Sequence, residues 1–392
     1  MPGDRSTIFV HVGLPKTGTT FLQDMLREHT AALRAEGLHY PLGQAHEHFH
    51  AALDARGNHN FGGGERPDAA GAWARLVATA TGLPGRVIIS HEILATADAE
   101  HAAAAIESLR PHDVHVVVTA RDPGRQIVAD WAESVKHGRK QSFETYLRRA
   151  GITTSSTSRA ASNSHVFEAQ RLSKVLRTWG AGLPPERVHV VTVPPSGGDP
   201  GELWRRFASV LGIEAPDRFR PGTGVRRNER LGTADVELLR RVSRALDHRI
   251  ISTEFGSVTK DLYAQSILPR VSSTPPPVLP ESHRPRADRL AERWIRDITK
   301  AGYDVAGDLA DLRPRHADGP GPDDWTDDQL IETSAAATAE LLLEVAELRR
   351  TVSHLQQSRA RWSPRNLRRE LAELRRQAGW LPRKLHRGPR RQ

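Results

Sequence analysis

The stretch His11–Leu26, HVGLPKTGTTFLQDML, constrains the fold more than any other part of the chain. It follows an apolar run at Thr7–Val12 that predicts a buried strand, and it leads into an amphipathic helical pattern over 19–30. Gly13 and Gly18 let the backbone approach a ligand closely, and a helix N-terminus favours an anion. The stretch therefore predicts a strand–loop–helix unit built to hold a phosphate-like group.

Three further Val/Ile-rich runs predict buried strands, and helical patterns separate them along the chain. The strands are predicted at Arg86–Ser90, Val114–Thr119 and Arg187–Val193, and the helices at 19–30, 124–137, 165–179, 199–211, 233–247 and 286–301. Alternation of this kind predicts an α/β fold in which helices flank a P-loop-like, doubly wound parallel sheet. Ligands of such sheets bind at the carboxyl ends of the strands.

A change in composition marks the end of this domain. The Pro/Gly-rich stretch RPRHADGPGPDD predicts an α/β domain over 1–312, a linker over 313–326 and a helical coiled-coil segment with a basic tail over 327–392. Steps of four and three residues indicate a short coiled-coil seam. Its members are Leu341, Val345, Leu348, Val352 and Leu355, and the spacing continues at Leu367, Leu371 and Leu374.

The distribution of charge limits the classes of partner. The net charge is +9, and residues 361–392 contain 11 Arg or Lys against 2 Glu, so the remaining chain is neutral overall. We therefore expect no nucleic-acid partner for the α/β domain. The C-terminal helices and basic tail favour self-association or contact with an anionic surface; a solvated extension is the alternative.

Cysteine and targeting patterns narrow the class further. The chain has no cysteine, which excludes disulfides, thiolate metal ligands and cysteine nucleophiles. No apolar run resembles a signal peptide or a membrane span, and we expect a cytoplasmic protein. Lysine supplies only 7 of the 56 basic residues, so Lys16 within the glycine loop is unusual.

The position of Lys16 separates this loop from that of an ATPase. A Walker A loop reads G-x-x-x-x-G-K-[ST], with its lysine directly after the second glycine. Here that position is Thr19, and Lys16 lies two residues before Gly18. A lysine inside the loop lies beside the first phosphoryl group and its bridging oxygen, which suits a short donor. The alternative is an ordinary turn with a solvated lysine.

The segment PKTGTTFLQ resembles the 5′-phosphosulfate loop of sulfotransferases that use 3′-phosphoadenosine 5′-phosphosulfate (PAPS). The resemblance implies a P-loop-like α/β fold, PAPS as the donor co-substrate and no metal. It implies that Lys16 contacts the bridging oxygen and the sulfuryl group. It also implies that the neighbouring loop positions surround the 5′-phosphate; these are Pro15, Thr17, Gly18, Thr19 and Thr20.

A second segment, VHVVVTARDPGRQIVADW, predicts a strand that ends in Arg121 and a helix that starts at Pro123. It resembles the 3′-phosphate segment of the same family, in which an arginine is followed eight residues later by a serine. Arg121 matches the arginine, but Ala129 occupies the serine position. The resemblance implies that Arg121 binds the 3′-phosphate, with Arg125 as a candidate for the missing contact. The alternative is an ion pair between Arg121 and Asp122 that caps the helix.

The segment RVIISHEIL ends a third strand with two candidate bases, His91 and Glu92. Removing a proton from an acceptor hydroxyl needs such a group. Successive strand residues point to opposite faces, so one of the two is expected to face the cleft. A histidine base resembles that of sulfotransferases acting on small molecules, and a glutamate base resembles that of many carbohydrate sulfotransferases. Both residues stay candidates, and capping of the following helix is the alternative.

Other candidates are weaker. The loops at 41–66 and 151–164 are predicted to choose the acceptor. Within the first, His46, His48 and His50 are candidate zinc ligands, but an acceptor-binding or solvated loop explains them better. Arg226, Arg227 and Asn228 are candidates for closing over the nucleotide, and Trp131 either borders the adenine or packs in the core.

Together these features predict an enzyme that transfers a sulfuryl group from PAPS to a hydroxyl of a small-molecule or carbohydrate acceptor, a glycan or natural product. One alternative is a nucleoside-triphosphate phosphotransferase that needs Mg²⁺ and uses Asp122 as its Walker B acid. The other is a catalytically inactive nucleotide-binding scaffold that acts through its C-terminal helices.

Overall fold

A six-stranded parallel sheet lies at the centre of the fold. The structure is a computed structural model, and it describes residues 5–41, 46–61, 64–149, 171–222, 230–247, 249–250 and 252–361. The strands in chain order are β1 Thr7–His11, β2 Leu38–His39, β3 Asn60–Phe61, β4 Gly64–Glu65, β5 Arg86–Ser90, β6 Asp113–Ala120, β7 Val188–Thr192 and β8 Asp304–Ala306. The main sheet has the order β2-β5-β1-β6-β7-β8, and β3 and β4 form a separate antiparallel hairpin.

Helices connect these strands. The α-helices are α1 Thr19–Glu28, α2 Thr30–Ala35, α3 Glu47–Ala55, α4 Ala72–Thr81, α5 Ala99–Glu107, α6 Pro123–Lys136, α7 Phe143–Arg149, α8 Leu172–Trp179, α9 Glu202–Val210, α10 Thr233–Leu246, α11 Ser252–Phe255, α12 Leu268–Val271, α13 Arg284–Ala301 and α14 Asp327–Arg361. A π-helix, Gly256–Ile267, joins α11 to α12. No helix in the described ranges combines the length and apolar character that a bilayer crossing requires.

Both faces of the sheet are covered by apolar side chains. Along β1, Ile8 and Val10 belong to one buried cluster while Phe9 belongs to another. The same alternation holds in β6, where Val116 and Val117 enter different clusters. A strand buried on both faces reads as a continuous Val/Ile run, which is why the sequence predicts these strands well.

The predicted α/β class and parallel sheet are confirmed. The four predicted strands match β1, β5, β6 and β7 to within one residue at each end. The edge strands β2 and β8 were missed because two or three residues carry too little periodicity to read. The predicted helix 165–179 is confirmed as α8 over its second half, and its first half lies outside the described residues.

The chain divides into two compact units, Met1–Ser334 and Ala335–Gln392. This division lies within α14 and not in the predicted linker 313–326. That segment belongs to the first unit, where Arg313 pairs with Glu292 at 2.7 Å and the carbonyl of Pro320 accepts from Val278 N–H at 2.9 Å. Its prolines and glycines therefore form an ordered strap along the α/β unit.

Candidate active site

The glycine loop lies where the order of the sheet reverses. After β1 the chain builds one side of the sheet with β2 and β5, and then crosses to β6, β7 and β8 on the other. His11 at the end of β1 is in register with Ser90 of β5 and Val117 of β6. Open α/β sheets bind their ligands at such a reversal, at the carboxyl ends of the strands. The loop 12–18 begins at this point.

The loop has a tight backbone. Gly13, Lys16 and Gly18 all have positive φ, at 40°, 66° and 89°. A methyl group at Gly13 would lie 2.5 Å from Thr19 Cγ2, and one at Gly18 would lie 2.5 Å from Leu203 Cδ2. Only glycine fits at these two positions without rearrangement. Lys16 is a non-glycine residue in a left-handed conformation, which is uncommon and concentrates at functional sites.

A buried chain of hydrogen bonds fixes the loop to three strands. His11 Nδ1 lies 2.8 Å from Ser90 Oγ, and His11 Nε2 lies 3.3 Å from Thr119 Oγ1. Thr119 Oγ1 lies 2.6 Å from Thr17 Oγ1, which donates to the carbonyl of Leu14 at 2.5 Å. Burial lowers the pKa of His11 to about 3, so the imidazole is neutral at pH 7. The Thr17 hydroxyl therefore braces the loop, which leaves its backbone amide for the predicted phosphate contact.

Lys16 contacts a carboxylate that the sequence did not single out. Its Nζ lies 2.7 Å from Glu133 Oε2, and both side chains are largely buried. Burial alone raises the pKa of Glu133, but His137, Lys16, Lys260 and Lys136 together hold it far below its ordinary value. Glu133 lies one helical turn after Ala129 on α6. Its carboxylate is therefore on the same face of the helix as the position where the family serine is missing.

Arg121 lies directly beside the loop. Its Nη1 donates to the carbonyl oxygen of Lys16 at 3.3 Å, and its Nε is buried with no hydrogen-bond partner among the described residues. Burial, with the neighbouring charge of Arg125, lowers the pKa of Arg121 to about 10. A buried guanidinium with an orphaned donor is the arrangement expected where an anion binds.

Arg125 occupies a different position. It pairs with Asp122 through Nε, and its Nη1 donates to Ser196 Oγ at 2.8 Å. The Asp122 carboxylate also caps α6 by accepting from the backbone N–H of Arg125 at 2.9 Å. The capping ion pair suggested for Arg121 is therefore made by Arg125. The Arg125 side chain already has protein partners, so it is a weaker candidate than Arg121 for a nucleotide contact.

His91 and Glu92 lie at the end of β5, as predicted. His91 Nδ1 accepts from the backbone N–H of Ile93 at 3.2 Å, so the ring caps the short helix that follows. This contact leaves Nε2 protonated in the neutral ring, a tautomer that has no lone pair to offer at Nε2. Burial also lowers the pKa of His91, although the negative charge of Glu92 acts in the opposite direction.

Glu92 has an ionised carboxylate at neutral pH. Burial raises its pKa, but His91, a backbone hydrogen bond, His11 and Lys16 outweigh this and lower the net value. Gln23 Nε2, on α1, lies 3.5 Å from Glu92 Oε2. The carboxylate is therefore held between β5 and the helix that follows the glycine loop, within electrostatic reach of Lys16.

Aromatic rings connect the two halves of the site. Phe49 lies 5.6 Å from the His91 ring and 5.1 Å from Phe61, measured between ring centroids. Phe61 lies 6.2 Å from the ring of His137, which contacts Glu133 at 3.3 Å. Both rings come from the stretch 41–66, which was predicted as an acceptor loop. The structure instead places Phe49 in α3 and Phe61 in β3, beside the candidate catalytic residues.

Several weaker predictions have structural outcomes. Trp131 is buried and packs edge-on against Phe143, so it is a core residue and not an adenine contact. His48 uses both ring nitrogens on backbone groups, Pro41 and Ser90, which makes it a structural histidine. In the parts of the chain that the structure describes, no group of three or more His, Asp or Glu side chains is arranged for a metal. Loop 151–164 and residues 226–228 lie outside the described residues.

Comparisons of the chain with protein-family models, curated proteins and solved structures find no match.

Proposed function

We propose that the protein is a sulfotransferase that uses PAPS to sulfate an acceptor hydroxyl. The observation that carries the proposal is the pairing of two cations at the sheet reversal. Lys16 lies inside the glycine loop, and Arg121 donates to the carbonyl of that same residue. A donor with a sulfuryl group on one phosphate and a second phosphate on its ribose needs two separate cationic contacts of this kind.

The loop and Arg121 fit the two ends of such a donor. Backbone amides at the start of α1 and the helix N-terminus favour the 5′-phosphate. The orphaned Nε–H of Arg121 favours the 3′-phosphate, because a charged guanidinium donor makes a strong hydrogen bond to a phosphate oxygen. When bound, the donor supplies the activated sulfuryl group.

Three side chains divide the work of transfer. Lys16 stabilises the negative charge that develops on the phosphate oxygen as its bond to sulfur breaks. Glu92 accepts the proton of the acceptor hydroxyl as the new oxygen–sulfur bond forms. His91 remains an alternative base, but its contact with Ile93 N–H favours Glu92. Most of the acceleration then comes from positioning and from charge stabilisation in a largely buried site.

A Mg²⁺-dependent phosphotransferase fits less well. Its Walker B acid was expected at Asp122, yet that carboxylate already accepts from the side chain and the backbone of Arg125. The lysine position also differs, since Thr19 stands where a Walker lysine is needed. Both differences favour a donor without a triphosphate.

Calorimetric titration tests the proposal directly. We expect 3′-phosphoadenosine 5′-phosphate (PAP) to bind with a Kd of about micromolar order, and ADP, which lacks the 3′-phosphate, to bind at least about tenfold more weakly. Tighter binding of ATP–Mg²⁺ than of PAP would overturn the sulfotransferase assignment in favour of a phosphotransferase. Binding of no nucleotide would leave the scaffold alternative.

A further inference from the structure

The surroundings of Glu133 carry more positive charge than the carboxylate can neutralise. Three of the chain's seven lysines converge on it: Lys16 at 2.7 Å, Lys260 at 3.4 Å and Lys136 at 4.0 Å. His137 Nε2 lies 3.3 Å from Glu133 Oε1 and 2.9 Å from Lys260 Nζ. These five residues, termed the lysine cluster, come from the glycine loop, α6 and the π-helix.

The lysine side chains of this cluster are 14–29% exposed. Burial and the nearby charges of Lys16 and Lys260 lower the pKa of Lys136, against the attraction of Glu133. Holding like charges together in a partly buried site is unfavourable unless an anion joins them. Lys260 also lies in a π-helix, an irregular element found often at functional sites.

The cluster borders the acceptor side of the site. From His137 the ring contacts run through Phe61 and Phe49 to His91, which precedes Glu92. Lys16 faces the donor in the proposed reaction, which leaves Lys136, Lys260 and His137 on the side of the aromatic residues. An acceptor whose hydroxyl lies at Glu92 therefore passes the two phenylalanines and ends near these three side chains.

We propose that the acceptor carries an anionic group, a carboxylate, sulfate or phosphate ester, which binds Lys136, Lys260 and His137. This inference rests on the proposed sulfotransferase function. It assigns the lysine cluster as an acceptor subsite, in which the anion of the acceptor offsets the charge that Glu133 leaves uncompensated.

Inorganic sulfate is the probe for this subsite. With PAP present to occupy the donor side, we expect calorimetry to detect sulfate binding, and Lys260→Gln and Lys136→Gln each to weaken it by about tenfold. Lys300→Gln, a lysine on α13 outside the cluster, is the matched control and should leave sulfate binding unchanged. Thermal melts confirm that each variant is folded.

The outcomes separate the two proposals. Sulfate binding that is absent, or equal in wild type and Lys260→Gln, overturns the subsite whatever the nucleotide result. If PAP does not bind, the proposed function fails, and the sulfate titration without nucleotide still decides whether the cluster binds anions. Loss of sulfate affinity in both cluster variants, with no change in Lys300→Gln, supports the subsite.

A separate observation concerns α14. Four of the predicted seam residues are exposed: Val345 by 39%, Val352 by 49%, and Leu348 and Leu355 by 58% each. The continuation of the seam at Leu367, Leu371 and Leu374 lies outside the described residues. Apolar side chains repeated in this way on one stripe of a helix are the sequence of a coiled coil, which needs a partner helix to bury them. The stripe is termed the α14 seam.

The residue types of the α14 seam select the partner. Valines occupy the two a positions, 345 and 352, and leucines occupy the d positions, a combination that favours two parallel strands. Glu344 is then a g position and Arg349 the following e position, so each faces the opposite charge on a second copy of the helix. An antiparallel pair instead places g beside g and e beside e. We propose that the α14 seam forms a parallel two-stranded coiled coil with a second copy of this chain.

Sedimentation velocity of the full chain tests this proposal. We expect a concentration-dependent dimer that Leu348→Asp shifts to monomer. Leu343→Asp is the matched control, because Leu343 is 63% exposed on the opposite face of the same helix. A monomer at all concentrations, or equal effects of the two variants, overturns the proposal.

Orientation is tested by a single introduced thiol, which the absence of natural cysteine makes clean. Leu355→Cys should form a symmetric intermolecular disulfide on oxidation, because d positions face each other only in a parallel, in-register pair. A dimer that fails to cross-link overturns the parallel arrangement.

Discussion

Arg121 and Arg125 lie four residues apart but differ in what already contacts them. Arg125 is held by Asp122 and Ser196, whereas Arg121 Nε has no partner in the described part of the chain. We expect Arg121→Ala to lower PAP affinity by about 10–100-fold, since a hydrogen bond to a charged group contributes about 1.5–3 kcal/mol. Affinity for ADP should change little, because ADP lacks the 3′-phosphate. Calorimetry with both ligands provides the comparison.

Arg125→Ala is the control for that experiment. It removes a guanidinium from the same helix start, yet its main loss is the ion pair with Asp122. We expect a lower melting temperature and a smaller loss of PAP affinity than in Arg121→Ala. Equal losses of PAP and ADP affinity in Arg121→Ala would contradict the assignment of this arginine to the 3′-phosphate.

Two buried histidines make stability depend on pH. Burial lowers the pKa of His11 to about 3 and that of His48 to about 4, from an ordinary value of 6.5. The unfolded chain therefore takes up protons first, and stability is lost as pH falls below 6.5, continuing towards the folded values. Each histidine contributes a slope of about 1.4 kcal/mol per pH unit well below 6.5.

Denaturant unfolding between pH 7 and pH 5 measures this slope. We expect His11→Asn and His48→Gln each to remove about one proton's share of it, while also lowering stability at pH 7 through lost hydrogen bonds. The carboxylates titrate mostly below this window. An unchanged slope in both variants would show that neither histidine is buried in its neutral form.

At the scale of elements, the glycine loop depends on its packing against α9 as well as on its own backbone. Gly18 and Gly37 both have positive φ, 89° and 76°, but only Gly18 has a side chain, Leu203, within contact of an added methyl group. Gly37→Ala should lose only about 1–2 kcal/mol from backbone strain. Gly18→Ala should lose more and also weaken PAP binding, because either the loop or the buried Leu203 side chain must shift. Equal effects of the two variants on PAP binding would contradict this role of the loop.

The elements that the sequence predicts well are those whose side chains are buried on both faces. The runs at β1, β5 and β6 have one interpretation, because a parallel strand covered by two layers must be apolar throughout. The cap made by His91 was open from sequence, since adjacent residues at a strand end can face either way until the next turn is known. Local sequence is therefore enough to predict the strands and the fold class. The choice between His91 and Glu92 as the base depends on the tertiary structure.

Glu133 shows what pattern reading misses. Its spacing from Ala129 places it on the same helix face, and Lys136 and His137 follow at three and four residues, a pattern visible in the sequence. Lys260 is 127 positions later in the chain, and only the tertiary fold brings it to the same carboxylate. The scarcity of lysine drew attention to Lys16, but the convergence of three lysines required the structure.

At the scale of the whole molecule, the strap 313–326 changes where the α/β unit ends. Trp325 lies under Arg241, with the guanidinium carbon 4.8 Å from the ring centroid. Further along, Leu330 is 5% exposed and Thr333 is 1% exposed, within the first compact unit. The start of α14 therefore packs like core and not like a separate segment.

Two truncations test this boundary. A chain that ends at Ser334 should keep the melting temperature of the full protein and its PAP affinity. A chain that ends at Asp324 should melt several degrees lower, because it loses the buried Leu330, about 1.5–3 kcal/mol, and the cation–π contact of Trp325, about 0.5–1 kcal/mol. Both lack the α14 seam, so a dimer contribution is the same in each. Equal melting temperatures would mean that 325–334 adds nothing to the α/β unit. Lower PAP affinity in both would instead show that the donor site depends on residues after Ser334.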